Sequence, residues 1–133
     1  MIIKLSDFLK NHETSKKFYL LYGSNVGQIE EVINDILKPK ISTNIYNYDE
    51  SEILKKTDEF NENILNRSFF DDKKLIIINR SSDKILEIIK NLITKKITET
   101  TIIIKASILE KRSKLRVFFE KNEETICVAF YED

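Results

Sequence analysis

Residues Phe18 to Lys38 read FYLLYGSNVGQIEEVINDILK, and the stretch divides into three parts. Phe18, Tyr19, Leu20, Leu21 and Tyr22 form a short, nearly continuous apolar run, the pattern of a strand covered on both faces. Gly23 and Ser24 make a turn. Asn25 can then cap a helix, and Gln28 stands three residues on, at capping-box spacing. Ile29, Val32, Ile33, Ile36 and Leu37 recur on one helical face. Pro39, which has no N–H and restricts the residue before it, is expected to end that helix.

A strand, a glycine turn and a helix are also the setting of a phosphate-binding loop, which reads GxxxxGK[ST]. The turn here reads Gly23, Ser24, Asn25, Val26, Gly27, Gln28, Ile29, Glu30. Counting from Gly23 puts Gln28, Ile29 and Glu30 at the Gly, Lys and Ser/Thr positions. Counting from Gly27 puts Gln28 and Ile29 at the last two. Either way the cation and the magnesium-binding hydroxyl are missing, and Glu30 would repel a triphosphate. Gly23, Ser24, Asn25, Gly27 and Gln28 therefore read as a degenerate loop, an ordinary strand-to-helix turn.

Further apolar segments follow in alternation. Ile45, Tyr46 and Tyr48 alternate with polar residues, as in an edge strand. Asp49, with Glu52 three residues on, caps a helix whose apolar face is Ile53, Leu54, Phe60, Ile64 and Leu65. Leu75 to Ile78 and Thr101 to Ile104 read as buried strands. A helix capped within Ser81–Asp83, carrying Ile85, Ile88, Ile89, Leu92 and Ile93, lies between them. Lys111 to Lys121 reads as a helix with Leu115, Phe118 and Phe119 inward, and Thr125 to Phe130 as a fifth strand. Ahead of all these, Met1–Lys4 suggests a small edge strand and Ser6 or Asp7 the cap of a short helix. Strands alternating with helices imply an α/β fold, a parallel sheet with right-handed crossovers and helices on both faces.

Composition narrows the function. The chain has 133 residues, near one domain, with 41% apolar and 33% charged residues, as in a soluble globular protein. No apolar run approaches the ~20 residues of a membrane span, and the start carries no secretory signal. Lys plus Arg and Asp plus Glu each number 22, which disfavours a free-standing nucleic-acid binder. Cys127 is the single cysteine, in an apolar run, and reads as a buried small hydrophobe. His12 is the single histidine and reads as a solvated loop residue, so no metal set and no Cys–His nucleophile is indicated. These features fit a reducing, cytoplasmic setting.

Two segments remain as candidates for chemistry or binding. The densest basic run, Lys111, Arg112, Lys114 and Arg116, is flanked by Glu110 and Glu120 and reads as a solvated helix face rather than a phosphate contact. Asn63-Ile64-Leu65-Asn66-Arg67-Ser68-Phe69-Phe70-Asp71-Asp72-Lys73-Lys74 lies between the second helix and the third strand. Adjacent residues point in different directions from a regular element, so one of Phe69 and Phe70 is a candidate for exposure, either as a plug for a partner's apolar pocket or as a cap over the core. Active AAA+ ATPases carry an Asp-Glu pair at the end of the third strand; here those positions are Asn79 and Arg80. Asp71 and Asp72 precede that strand, whereas catalytic groups of open α/β sheets lie beyond the carboxyl ends, which also counts against a phospho-receiver domain.

Four stretches together resemble the delta subunit of bacterial DNA polymerase III, the clamp-loader component that opens the sliding clamp. They are Leu20–Val32, Tyr48–Ile78, Thr100–Leu115 and Thr125–Asp133, in the family's order. The resemblance implies an AAA+-like N-terminal domain spanning residues 1–133, with a five-stranded parallel sheet of order 5-1-4-3-2. It implies no ATPase activity and no cofactor. It also implies a clamp-binding role for Arg67, Ser68, Phe69 and Phe70, the aromatic pair entering a pocket of the clamp, with Phe69 standing where the family more often has Leu. The implied partners are the sliding clamp (beta) and, in a full-length subunit, the other clamp-loader subunits. DNA is contacted only indirectly and a membrane not at all. The small helical domain and collar of the family lie outside the chain, so a fragment is expected. The alternatives are a nucleotide-binding domain with a regulatory or enzymatic role and, third, a small nucleic-acid-binding domain.

Overall fold

The computed structural model describes residues 1–11, 15–41, 44–65 and 73–131. Five strands form one sheet: β1 (Phe18–Tyr22), β2 (Asn44–Asp49), β3 (Lys74–Asn79), β4 (Thr100–Ala106) and β5 (Thr125–Ala129). All pair in parallel, in the order β2-β3-β4-β1-β5. This is the expected sheet, read from its other edge. Helices α1 (Leu5–Asn11), α2 (Val26–Val32) and α3 (Lys38–Ile41) contribute to one layer. Helices α4 (Glu50–Lys55), α5 (Thr57–Leu65), α6 (Leu86–Thr94) and α7 (Lys114–Lys121) form the other.

The strand period divides the core. In β1, Phe18, Leu20 and Tyr22 face α4–α7, where they pack with Phe60, Leu92 and Phe119. Tyr19 and Leu21 face the opposite side, among Phe8, Ile29, Ile33 and Leu37. Every residue of β1 is buried, as expected of a strand covered on both faces. At the far edge, β2 leaves Asn44, Tyr46 and Asn47 exposed, and its polar alternation fits that position.

Several local expectations are corrected. Pro39 does not end the helix. A π turn over Ile33–Leu37, in which the Lys38 N–H donates to the Ile33 carbonyl, precedes it, and Pro39 is the second residue of α3. The widened turn interrupts the regular ladder just before the residue that cannot donate to it. The helix expected from Asp49 onward is broken at Lys56 (φ −136°, ψ 53°) into α4 and α5. The Thr57 hydroxyl donates to the Ile53 carbonyl at 3.2 Å, capping the break. Ile53, Phe60 and Ile64 are buried, but Leu54 and Leu65 are exposed. Each follows a buried residue, and one step along a helix turns the side chain by about 100°. Phe118 is only half-buried beside the fully buried Phe119, for the same reason. The helix read from Lys111 starts at Lys114, after a turn, and the first helix starts at Leu5, ahead of its expected caps. Met1–Lys4 forms no strand but a single parallel bridge, Ile2 beside Cys127, along the free edge of β5. There the Met1 ammonium donates to the carbonyls of Phe119 (2.5 Å), Asn122 (2.8 Å) and Thr125 (2.8 Å).

The caps join helices as well as ending them. Ser113 caps α7, its hydroxyl oxygen accepting from the Arg116 N–H at 3.3 Å, and donates to Asp83 at 2.6 Å. Asp83, in a 3-10 turn (Asp83–Ile85), also accepts from the N–H groups of Lys114 (3.2 Å) and Leu115 (3.1 Å). One carboxylate thus ties the start of α6 to the start of α7. The Ser113 hydrogen bond and the two backbone donors hold its carboxyl below the usual aspartate range. A lowered folded-state pKa stabilises the fold above the unfolded value, about 4, and that contribution fades as the pH falls through the folded value. Asp83→Ala is expected to lower the melting temperature at neutral pH by roughly 3–6 °C. Thermal melts from pH 7 to pH 3 should show the difference from wild type shrinking below about pH 4; a constant difference would mean the charge contributes nothing.

Candidate functional site

In an open parallel sheet, ligands bind beyond the carboxyl ends of the strands, near the point where strand order reverses. Here that point lies at the ends of β1 and β4. A cleft of about 450 Å³ opens there, lined by Val26 and Ile29 of α2, Asn79 to Ser81 after β3, and Lys105 to Ser107 after β4. One wall is the first turn of α2, which follows the β1–α2 turn.

The geometry of that turn follows from Gly23. Its φ of +135° lies in a region side chains avoid, and an added Cβ would stand 1.9 Å from the Phe130 carbonyl oxygen. The backbone just past β5 therefore presses directly on the turn. The Phe130 N–H donates to the Tyr22 carbonyl (2.7 Å), and the Phe130 carbonyl accepts from the Asn25 N–H (3.1 Å). Gly23 N–H donates to the Ser107 carbonyl (3.1 Å), and Val26 N–H to Ser24 (3.0 Å). In a phosphate-binding loop such amides point at the ligand; here they are bonded to the chain's own carbonyls. Asn25 caps α2 as expected, its side-chain oxygen accepting from the Gln28 N–H at 3.2 Å. Gln28 departs from a capping box. Its side chain accepts from the Asn25 side-chain amide (3.1 Å) rather than from the Asn25 backbone.

The charged groups around the cleft are also paired. Glu30 of α2 forms an ion pair with Lys105, the only charged residue of β4. Burial holds the Lys105 ammonium below the usual lysine range. Arg80, with a positive φ of 53°, reaches back to Asp49 at 2.5 Å. Asn79 donates to the Tyr48 carbonyl (3.3 Å), and the Ser81 hydroxyl to Ile78 (3.2 Å). The Asn79 and Arg80 side chains thus tie β3 to the end of β2. Glu50, which the sequence reading passed over, is buried at the start of α4 and accepts from the Ser82 N–H and hydroxyl, both at 2.8 Å.

The remaining sequence candidates divide. Cys127 is buried and its thiol is pushed up to about 12, mainly by desolvation, so it stays protonated. Among the described residues no group of three His, Cys, Asp or Glu side chains could hold a metal, and no helix is long and apolar enough to cross a membrane. Of the basic run, Lys111, Arg112 and Lys114 are exposed as expected, but Arg116 turns inward. It pairs with Glu120 (3.1 Å), donates to the Leu109 carbonyl (2.9 Å) and lies 5.2 Å from the Tyr22 ring. Arg67, Ser68, Phe69 and Phe70 lie outside the described residues, as does His12. The chain leaves for that segment from Leu65, the exposed end of α5, and returns at Lys73, just before β3. The return point is on the amino edge of the sheet, opposite the cleft.

A family model for the DNA polymerase III delta subunit matches residues 19–129. The chain belongs to this family. Its place is therefore in the clamp loader of the replication machinery. A comparison with curated proteins finds no match. The match runs from β1 to the last residue of β5, so it takes in every strand of the delta-family sheet, the cleft and the segment outside the described residues.

The pressure of Phe130 on Gly23 yields a direct test. Gly23→Ala forces either the turn or the end of β5 to move and should destabilise the fold by at least about 2 kcal/mol in urea unfolding. Gly27→Ala, where the nearest atom to an added Cβ is 4.0 Å away, should be close to neutral.

Proposed function

We propose that residues 1–133 act as the clamp-binding domain of a delta subunit, holding the sliding clamp and helping to open it without hydrolysing ATP. Membership of the delta family supports the partner. The observation that carries the second half is the pairing of the β1–α2 turn amides with Phe130, Ser107 and Ser24, together with the Glu30–Lys105 pair. A triphosphate entering the cleft would have to displace these bonds, and the turn has neither a lysine nor a hydroxyl at the magnesium-binding position to replace them.

Phe69 and Phe70 are the anchors in this reading, with Arg67 and Ser68 beside them. Each aromatic side chain buried in an apolar clamp pocket contributes about 1.5–3 kcal/mol. That energy opens a ring only as far as the domain binds the open form more tightly than the closed one. The segment is rooted on the amino edge of the sheet, so clamp contact and cleft are served by opposite ends of the same strands. A cytoplasmic setting, alongside the other clamp-loader subunits, completes the proposal; DNA is reached through the clamp and those subunits.

Calorimetry of the chain with the sliding clamp of the same organism tests the reading. Binding is expected, and a folded Phe69→Ala/Phe70→Ala variant should lose at least about 2 kcal/mol of it, the scale of one hot-spot residue. Equal binding by both proteins would remove the aromatic pair from the contact, and no binding by wild type would remove the clamp. In the same instrument ATP with magnesium should give no saturable heat; a magnesium-dependent titration would restore the nucleotide-binding alternative.

A further inference from the structure

On the face away from α2, helices α6 and α7 leave a groove of about 660 Å³ between them. Its floor is apolar: Leu86, Val117 and the half-buried Phe118. Its walls carry four cations, Lys90, Arg112, Lys114 and Lys121, and a single carboxylate, Glu87. Lys90 lies 5.4 Å from the Phe118 ring centre and 3.7 Å from Glu87, both weak exposed contacts. Arg112 pairs with Glu110 at 3.0 Å on an exposed turn. The ammonium groups of Lys114 and Lys121 form no ion pair with any described residue. In a chain whose charges balance, 22 against 22, this is a local excess of positive charge over an apolar floor.

We propose that the α6–α7 groove is a docking site for an acidic peptide segment carrying apolar residues, belonging to a partner protein. The charge complementarity is specific in kind. Carboxylates spaced along a peptide can meet Lys114, Lys121 and Arg112 while an apolar side chain between them covers Phe118 and Val117. A phosphate backbone fits less well, because it pairs its anionic groups with no apolar side chain to cover the floor. None of the residues lining the groove lines the cleft. Asp83 holds the starts of both helices together and so sets the groove's width at one end.

Fluorescence anisotropy with a labelled synthetic peptide that alternates glutamates with leucine and phenylalanine tests this on the whole chain. Saturable binding is expected, weakening as salt is raised. Lys114→Glu/Lys121→Glu should reduce affinity roughly tenfold or more, by reversing two rim charges, while circular dichroism and the melting temperature stay near wild type. Phe118→Ser should weaken the same peptide but leave binding of a purely acidic peptide, itself weak, unchanged. The proposal is overturned if the mixed peptide does not bind, if the purely acidic peptide binds as tightly, or if the double variant binds as wild type does. Tighter, steeply salt-dependent binding of oligothymidylate, lost in the double variant, would also overturn it in favour of a nucleic-acid groove.

Discussion

The absence of one side chain, at Gly23, lets two loops of the sheet share a space too small for a methyl group. The Phe130 carbonyl sits where any other residue would place its Cβ. Because that approach is possible, the end of β5 continues its bonding to β1 beyond the strand, through Phe130 to Tyr22 and Asn25 to Phe130. The bonds hold β5 in register as an edge strand and set where α2 begins. They also occupy amides that a phosphate-binding turn would keep for its ligand. The same contact thus serves stability and bears on function, and the two roles cannot be separated by mutation at Gly23.

The sheet consequently has two unlike ends. At the carboxyl end the polar groups around the cleft are bonded to one another: Glu30 with Lys105, Asp49 with Arg80, Asn79 with Tyr48. Those pairs hold α2 against β4 and β2 against β3 much as a bound ligand bridging the strands would. At the amino end the chain runs out from α5 and back to β3 through a segment rich in aromatic and charged residues. A domain whose cleft has its polar groups already bonded to one another is suited to carry its contacts elsewhere, and the proposed clamp surface and the α6–α7 groove both follow that logic.

Much of the architecture was legible because strands buried on both faces leave a simple trace. Leu75–Ile78 and Thr101–Ile104 have no polar residue to mislead a reader beyond a threonine, and β2 announced its edge position through Asn44, Asn47 and the exposed Tyr46. Caps at Asn25 and Ser82 were equally visible, since their side chains act within a few residues, whereas the cap at Ser113 was hidden inside a helix read from Lys111. What escaped was set by contacts far along the chain. A lone lysine in β4 was a signal that a carboxylate must lie nearby, but nothing local pointed to Glu30, seventy-five positions away. Arg116 looked like part of a solvated basic face because its partners, Tyr22 and Leu109, are brought to it only by the fold. The π turn before Pro39 and the break at Lys56 are backbone accommodations that the apolar period conceals. The aromatic pair was singled out by its sequence alone, and Phe69 and Phe70 lie outside the described residues.

The ammonium of Met1 bonds to three carbonyls that end α7 and begin β5. An ammonium can donate in three directions at once, whereas a peptide N–H in its place could donate in one. Fusing any sequence ahead of Met1 therefore changes the chemistry of a structural joint, not merely the length of a tail. Affinity handles placed on the amino end would loosen the β5 edge beside Cys127, and the choice of cloning strategy becomes a structural variable in every binding measurement made on this protein.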